Sequence, residues 1–318
     1  MFPRANPLAA PGPHRCAAAR ITRALVLDLD GTIAASKEPM DPTMATALVT
    51  ALRRLSVCIL SGGTFGQLRA QVLDGLAASE DLLTRLHLMP TYGTRYYARR
   101  EGVWRRVYAE DLSPRQSRQI RQALEASARS LGYWRPIGWG ATIEDRGSRI
   151  TYSVLGRAAP VTARTAWDPD GARQRAMLAQ VSRRLPDFEV RAGDSTSIDV
   201  TLKGIDKAYG IRKLLAPLAA TTDDLLFIGD RLDEQGNDHP VLAMGVRCVA
   251  VQNWRDTLTV IDQFNQWWDG TIEHPTFRIL SEPRREAPAD QGSRATGQVC
   301  EVGGPQPGIR HGGGIHRM

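Results

Sequence analysis

Short apolar runs ending on acids, serine or glycine punctuate the chain. Ala24-Leu25-Val26-Leu27, Val57-Cys58-Ile59-Leu60 and Leu225-Leu226-Phe227-Ile228 each read as a buried parallel strand, and Val246–Val251 as another. Helical stretches stand between them. Asp41 and Pro42 open one that runs to about Leu55, with Asp41 as N-cap and Pro42 at the first helical position. A second follows Ser61-Gly62-Gly63 to about Leu76, a third spans Ile205–Leu215, and a last one runs from about Asp256 to Trp268. Strand and helix in alternation predict an α/β fold: a doubly wound, Rossmann-like parallel sheet whose ligands bind beyond the carboxyl ends of the strands.

The middle of the chain breaks this alternation. Hairpin-like stretches (Tyr92–Tyr97 with Val103–Tyr108, Arg149–Leu155, Ser197–Leu202) interleave with helices near Pro114–Leu131 and Asp170–Leu185. The pattern predicts an α+β domain over 90–203, inserted between two parts of the sheet domain at 21–89 and 204–280. A leader at 1–20 and a Gly-, Pro- and Arg-rich tail at 281–318 are expected to be disordered and to carry no chemistry.

Composition narrows the class. A chain of 318 residues, 42% of them hydrophobic, can bury a full core. The net charge of +7 is spread without a dense basic block, so an enzyme with an anionic substrate fits it at least as well as a nucleic-acid binder. No membrane partner is expected, because no apolar stretch approaches the ~18 residues a span requires. Arg4, Arg15 and Arg20 precede no continuous apolar run of the kind a secretory signal needs. Cys16, Cys58, Cys248 and Cys300 are scattered, without metal-ligand spacing, which suits a reducing cytoplasmic location.

The candidate chemistry lies just past three strand ends. In Asp28-Leu29-Asp30-Gly31-Thr32, two acids flank one residue and therefore point in different directions. One can attack phosphorus as a nucleophile while the other handles protons. Gly31 lets the backbone turn sharply toward a ligand. Alone, the run also fits a strand leading into an Asx turn. Gly229-Asp230, leading to Gly236-Asn237-Asp238, supplies more hard oxygen ligands; Asp28 and Asp230 converging from two strand ends suit Mg²⁺, with Asp238 or Asn237 in support. Ser61 with Gly62 and Gly63 at a helix start forms a phosphate cradle, and Lys207 can neutralise the transferring group.

Taken together, these segments resemble the haloacid-dehalogenase (HAD) superfamily of phosphotransferases. Asp28–Thr32 matches its DxDGT motif, Ser61-Gly62 its hydroxyl motif, Lys207 its lysine motif, and Gly229-Asp230 with Gly236-Asn237-Asp238 its acidic motif, all in order. The resemblance implies a Mg²⁺ site drawn from Asp28, Asp30, Asp230, Asn237 and Asp238. The inserted segment is similar to the α/β cap of the branch holding sugar phosphatases and eukaryotic-type phosphomannomutase. Arg146 and Arg157 keep the spacing of two sugar-phosphate-binding arginines there, and Arg164 falls where a third would lie. Ser197 and Asp199 resemble cap residues that contact phosphate and hydroxyls, and Gly204-Ile205-Asp206-Lys207 resembles a GWDK run.

Two departures bear on function. Ser61-Gly62-Gly63-Thr64 replaces the mutase GGSD, so either Ser61 or Thr64 can bear the phosphate-binding hydroxyl, Ser61 being favoured by its place at the strand end; and Ile205 replaces the tryptophan of GWDK. The expected substrate is a small phosphorylated sugar and the expected protein state leaves room for a homodimer. The expected reaction is hydrolysis through an aspartyl-phosphate on Asp28, with transfer to a second sugar hydroxyl, as in a hexose-phosphate mutase, as the alternative. A non-catalytic module that binds sugar phosphate or nucleic acid is disfavoured by the intact Asp28 and Asp30.

Overall fold

Three of the apolar runs fold as expected into strands buried on both faces, and the fourth, Val246–Val251, into a strand whose ends reach solvent. In the computed structural model, which describes residues 22–281 apart from 136, 137, 194, 195 and 235, β1 (Ala24–Leu27) has no exposed position. The expected leader and all but the first residue of the expected tail lie outside the described residues. The first half continues with α1 (Pro42–Leu52), β2 (Ser56–Leu60), α2 (Phe65–Gln71), α3 (Glu80–Leu83), β3 (Leu86–Met89), β4 (Arg95–Arg100), β5 (Val103–Ala109) and α4 (Pro114–Ser130). Then come β6 (Ile143–Asp145), β7 (Arg149–Ser153), α5 (Val161–Trp167), α6 (Ala172–Arg184), β8 (Phe188–Ala192) and β9 (Ser197–Leu202). The chain closes with α7 (Lys207–Leu218), β10 (Leu225–Gly229), α8 (His239–Ala243), β11 (Arg247–Ala250) and α9 (Trp254–Trp268).

The helix starts follow their side chains. Asp41 caps α1 by accepting from Thr43 N–H, Thr64 caps α2 by accepting from Gln67 N–H, and Asp206 caps α7 by accepting from Tyr209 N–H. That last cap puts Lys207 at the first helical position, aimed from the start of α7.

Among the described residues the strands form two sheets. The larger has the order β11-β10-β1-β2-β3-β4-β5, parallel from β11 to β3. One face buries Leu25, Leu27, Ile59 and Ile228 against α1 and α9; the other buries Val26, Cys58, Leu60 and Phe227 against α7 and α8. From β1 the chain proceeds to β2 on one side, and it returns as β10 on the other. The crevice at the carboxyl end of β1 is therefore a topological switch point, where such sheets take their ligands.

The smaller sheet runs β6-β7-β9-β8, wholly antiparallel. Ile150, Tyr152, Ile198 and Val200 face α4 and α6 and make a separate apolar cluster with Ile120, Leu124, Met177 and Val181. Alternation then turns Arg149, Thr151, Ser197 and Asp199 to the opposite, polar face.

One segment departs from the expectation. The hairpin β4–β5, expected in the inserted domain beginning at residue 90, pairs instead with β3, through His87↔Ala98 and Leu88↔Tyr97, and extends the larger sheet. Tyr96 and Ala98 are the reason: both are buried in the core cluster on the α7 side, which an excursion away from the sheet would expose. The chain leaves the larger sheet only after β5.

Candidate active site

Three carboxylates and one ammonium meet at the carboxyl ends of β1 and β10. Asp28 follows β1 directly, its N–H donating to Ile228 O on β10 (3.0 Å). Asp230 follows β10. The loop after β1 folds tightly, with Ile33 and Ala34 N–H donating to Leu29 O, and Gly31 takes a left-handed φ of 85° within it. A Cβ at residue 31 would lie 2.5 Å from Asp230 Oδ2, so only glycine lets that carboxylate approach the loop. Asp28, Asp230 and Asp238 each offer an oxygen within 4.8 Å of the others.

Lys207 fills the space between two of them. Its side chain is fully buried, with Nζ 2.6 Å from Asp28 Oδ1 and ion-paired to Asp238 Oδ1. Asp238 accepts a further bond at Oδ2 from Arg231 N–H (3.0 Å), so both its oxygens are engaged. Burial pushes the Asp28 carboxyl up to about 7, with Lys207 opposing the rise and Asp238 adding to it. Burial and Asp238 likewise raise Asp230. For Lys207, burial works against the charge, but Asp28 and Asp238 outweigh it and hold the ammonium above its ordinary value. Three carboxylates share one ammonium, which leaves the cluster short of positive charge. A hard divalent cation on oxygen ligands meets that shortfall. Asp28 and Asp230 are the residues that would hold it.

Asp30 points elsewhere. Its carboxylate accepts from Lys37 N–H (2.8 Å), Gln67 Nε2 (2.9 Å) and Gln71 Nε2 (3.1 Å), and it lies outside the three-carboxylate group. Gln67 and Gln71, which the sequence reading passed over, sit one helical turn apart on α2; that spacing was the available signal. Ser61 follows β2 in a buried position, with Oγ accepting from Gly63 N–H (3.0 Å) and its own hydroxyl proton left to donate. Thr64 Oγ1 is taken up as the cap of α2. Asn237 is exposed.

The polar face of the smaller sheet reaches the same loop. Arg146 donates to Gly62 O (3.4 Å) and pairs with Glu144 (2.8 Å). Arg157 pairs with the same Glu144 but is half exposed. Arg164 stands in the last turn of α5, and Ser197 and Asp199 lie on β9. Asp199 accepts from Thr151 Oγ1 (2.5 Å) and from Arg149 (3.1 Å). Glu144 and Arg149 are further polar members of this face that spacing alone did not single out.

Known proteins show what the chain resembles. A family model described as eukaryotic phosphomannomutase matches residues 131–266, a stretch that includes the smaller sheet, Lys207, Asp230 and Asp238 but not Asp28. A probable phosphomannomutase of Caenorhabditis elegans is 25% identical over 233 residues, covering 69% of this chain and 85% of the relative. A phosphomannomutase of Encephalitozoon cuniculi is 24% identical over 244 residues, covering 75% of this chain and 91% of the relative. In architecture the chain is similar to the IMP-nucleotidase of Plasmodium falciparum, with a TM-score of 0.60 at 12% identity over 80% of this chain and 71% of that one; that likeness speaks for the fold alone. The chain is an enzyme of phosphotransferase or phosphatase type, and it resembles the eukaryotic phosphomannomutases.

Proposed function

We propose that the chain is a Mg²⁺-dependent enzyme that moves the phosphoryl group of a phosphorylated hexose through Asp28, acting as a hexose-phosphate mutase. The observation that carries the reading is the cluster of Asp28, Asp230 and Asp238 around Lys207, opposite a face bearing Arg146 and Arg149.

Asp28 is the nucleophile: an oxygen attacks phosphorus, and an aspartyl-phosphate divides one hard step into two. Lys207, held by Asp28 and Asp238, sets a fixed positive charge beside the reacting oxygen. Ser61 donates its hydroxyl proton to a phosphate oxygen. Asp30, oriented by Gln67 and Gln71, protonates the departing sugar oxygen and then takes the proton of the acceptor. Mg²⁺ held by Asp28 and Asp230 would neutralise charge on the phosphoryl group. Arg146, whose Nε is buried without a partner among the described residues, keeps a donor for an oxygen of the sugar phosphate. Ser197 and Asp199 on β9 meet hydroxyls of the sugar, Arg157 and Arg164 add positive charge for its phosphate, and the inserted segment serves as a cap over the crevice.

The likeness to the two phosphomannomutases favours the mutase over the phosphatase. Hydrolysis stays as the second reading, since Ser61-Gly62-Gly63-Thr64 departs from the mutase pattern. The test incubates the protein with Mg²⁺ and mannose- or glucose-1-phosphate, with and without hexose 1,6-bisphosphate. A 6-phosphate product that depends on the bisphosphate supports the mutase; free phosphate as the sole product overturns it in favour of the phosphatase.

A further inference from the structure

Arg149 opens β7, is 5% exposed, and ties the smaller sheet to the loop after β2. Its Nη2 donates to the carbonyl of Gly62 at 2.7 Å, in the loop after β2; its Nη1 donates to Asp199 Oδ2 at 3.1 Å, on β9. The Tyr92 ring lies against the guanidinium, 5.4 Å from centroid to Cζ. Tyr92 is itself fastened to the loop, its N–H donating to Ser61 O (2.9 Å). The loop is shaped to receive the ring: a Cβ on residue 62 would meet it at 2.9 Å.

A buried guanidinium with this set of contacts has little freedom. Its planar fork serves two acceptors in different directions at once, which the single ammonium of a lysine cannot match. Both bonds are charge-assisted, and a displacement of either acceptor is felt at the other.

We infer that Arg149 is a positioning residue that couples the polar face of the smaller sheet to the Ser61–Gly63 loop, through Asp199 on one side and the Gly62 carbonyl on the other. The inference rests on the reading above, in which Asp199 meets sugar hydroxyls and Ser61 meets phosphate. A sugar hydroxyl bonding to Asp199 fixes Arg149, and Arg149 in turn fixes Gly62 and with it the Ser61 hydroxyl. The enzyme thereby favours phosphate esters of polyhydroxylated alcohols over esters that occupy the phosphate site alone.

The test compares the wild type with Arg149→Met, Arg149→Lys, Asp199→Asn and the Met/Asn double variant, using two readouts. The first is amide hydrogen exchange of residues 61–65, with strand β3 as internal reference. Faster exchange in Arg149→Met at 61–65 but not in β3 is expected; unchanged exchange overturns the coupling. The second is kcat/KM for mannose-1-phosphate relative to that for p-nitrophenyl phosphate. The ratio is expected to fall about 10-fold or more in Arg149→Met, chiefly in kcat, with Arg149→Lys between it and the wild type. The double variant is expected to be no worse than the poorer single one. Equal loss on both substrates, or losses that multiply in the double variant, overturns the inference. Should Arg149→Met not fold, Arg149→Lys and Asp199→Asn carry the same comparison. A wild type inert toward both esters would defeat the proposed function, while the exchange measurement would still decide the coupling.

Discussion

Lys207 and Asp238 form an ion pair in which neither side chain reaches solvent. Such a pair is weak evidence of net stability, yet breaking it is costly, because the surviving charge stays buried. Lys207→Met strands Asp238 and Asp28 together without their shared cation. The expected loss is about 3–5 kcal/mol in a urea titration, together with loss of turnover. A variant as stable as the wild type would show that the site relaxes to admit water.

Asp28→Asn keeps the shape of the side chain and removes the carboxylate proposed to attack phosphorus. Turnover of a sugar phosphate is expected to fall on the order of 10³-fold or more while far-UV circular dichroism is unchanged. Activity that survives the substitution would remove Asp28 from the mechanism.

Gly31→Ala tests the approach of Asp230 to the loop after β1. The added Cβ would stand 2.5 Å from Asp230 Oδ2 on a backbone with φ of 85°. A destabilisation of roughly 1 kcal/mol or more is expected from the strained backbone alone. Displacement of Asp230 should also raise the Mg²⁺ concentration that half-stabilises the protein in a thermal melt. An unaltered Mg²⁺ midpoint would separate Asp230 from the cation.

His87 supplies a pH dependence away from the site. Its Nδ1 lies 2.7 Å from Tyr96 Oη, and burial pulls its pKa down from 6.5 to about 4. The folded state thus prefers the neutral ring. The stability this confers is fully present above pH 6.5 and is lost as the pH falls toward 4, at a scale of roughly 3 kcal/mol. His87→Gln removes this titration, so its unfolding free energy should decline less over that interval. Parallel stability curves for the two proteins would mean that another group controls the acid limb.

The strands at the site were legible because a strand buried on both faces is a continuous apolar run, and the chemistry starts at the residue after it: Asp28 after Leu27, Ser61 after Leu60, Asp230 after Gly229. The β4–β5 hairpin was harder to assign. Its sequence specifies a hairpin with one apolar face, but the sheet it joins depends on the open edge of β3, which no local pattern records. The arginines were harder still. Arg149 and Arg157 look alike in sequence, and only the fold gives one a backbone carbonyl and a half-buried carboxylate and leaves the other half exposed beside Glu144. Likewise, Asp30 and Asp28 share a motif, but the glutamines of α2 turn one carboxylate away from the cluster that holds the other.

The residues of the crevice come from both sides of the inserted segment. Asp28 and Ser61 precede it, whereas Lys207, Asp230 and Asp238 follow it. During synthesis Asp28 therefore leaves the ribosome long before Lys207, and the cluster is incomplete until Asp238 has been added. A chain cut short within the insertion lacks Lys207, Asp230 and Asp238 and is expected to show no turnover. Conversely, two separately expressed fragments divided in that region would each carry half of the centre, and restored turnover on mixing them would report their reunion.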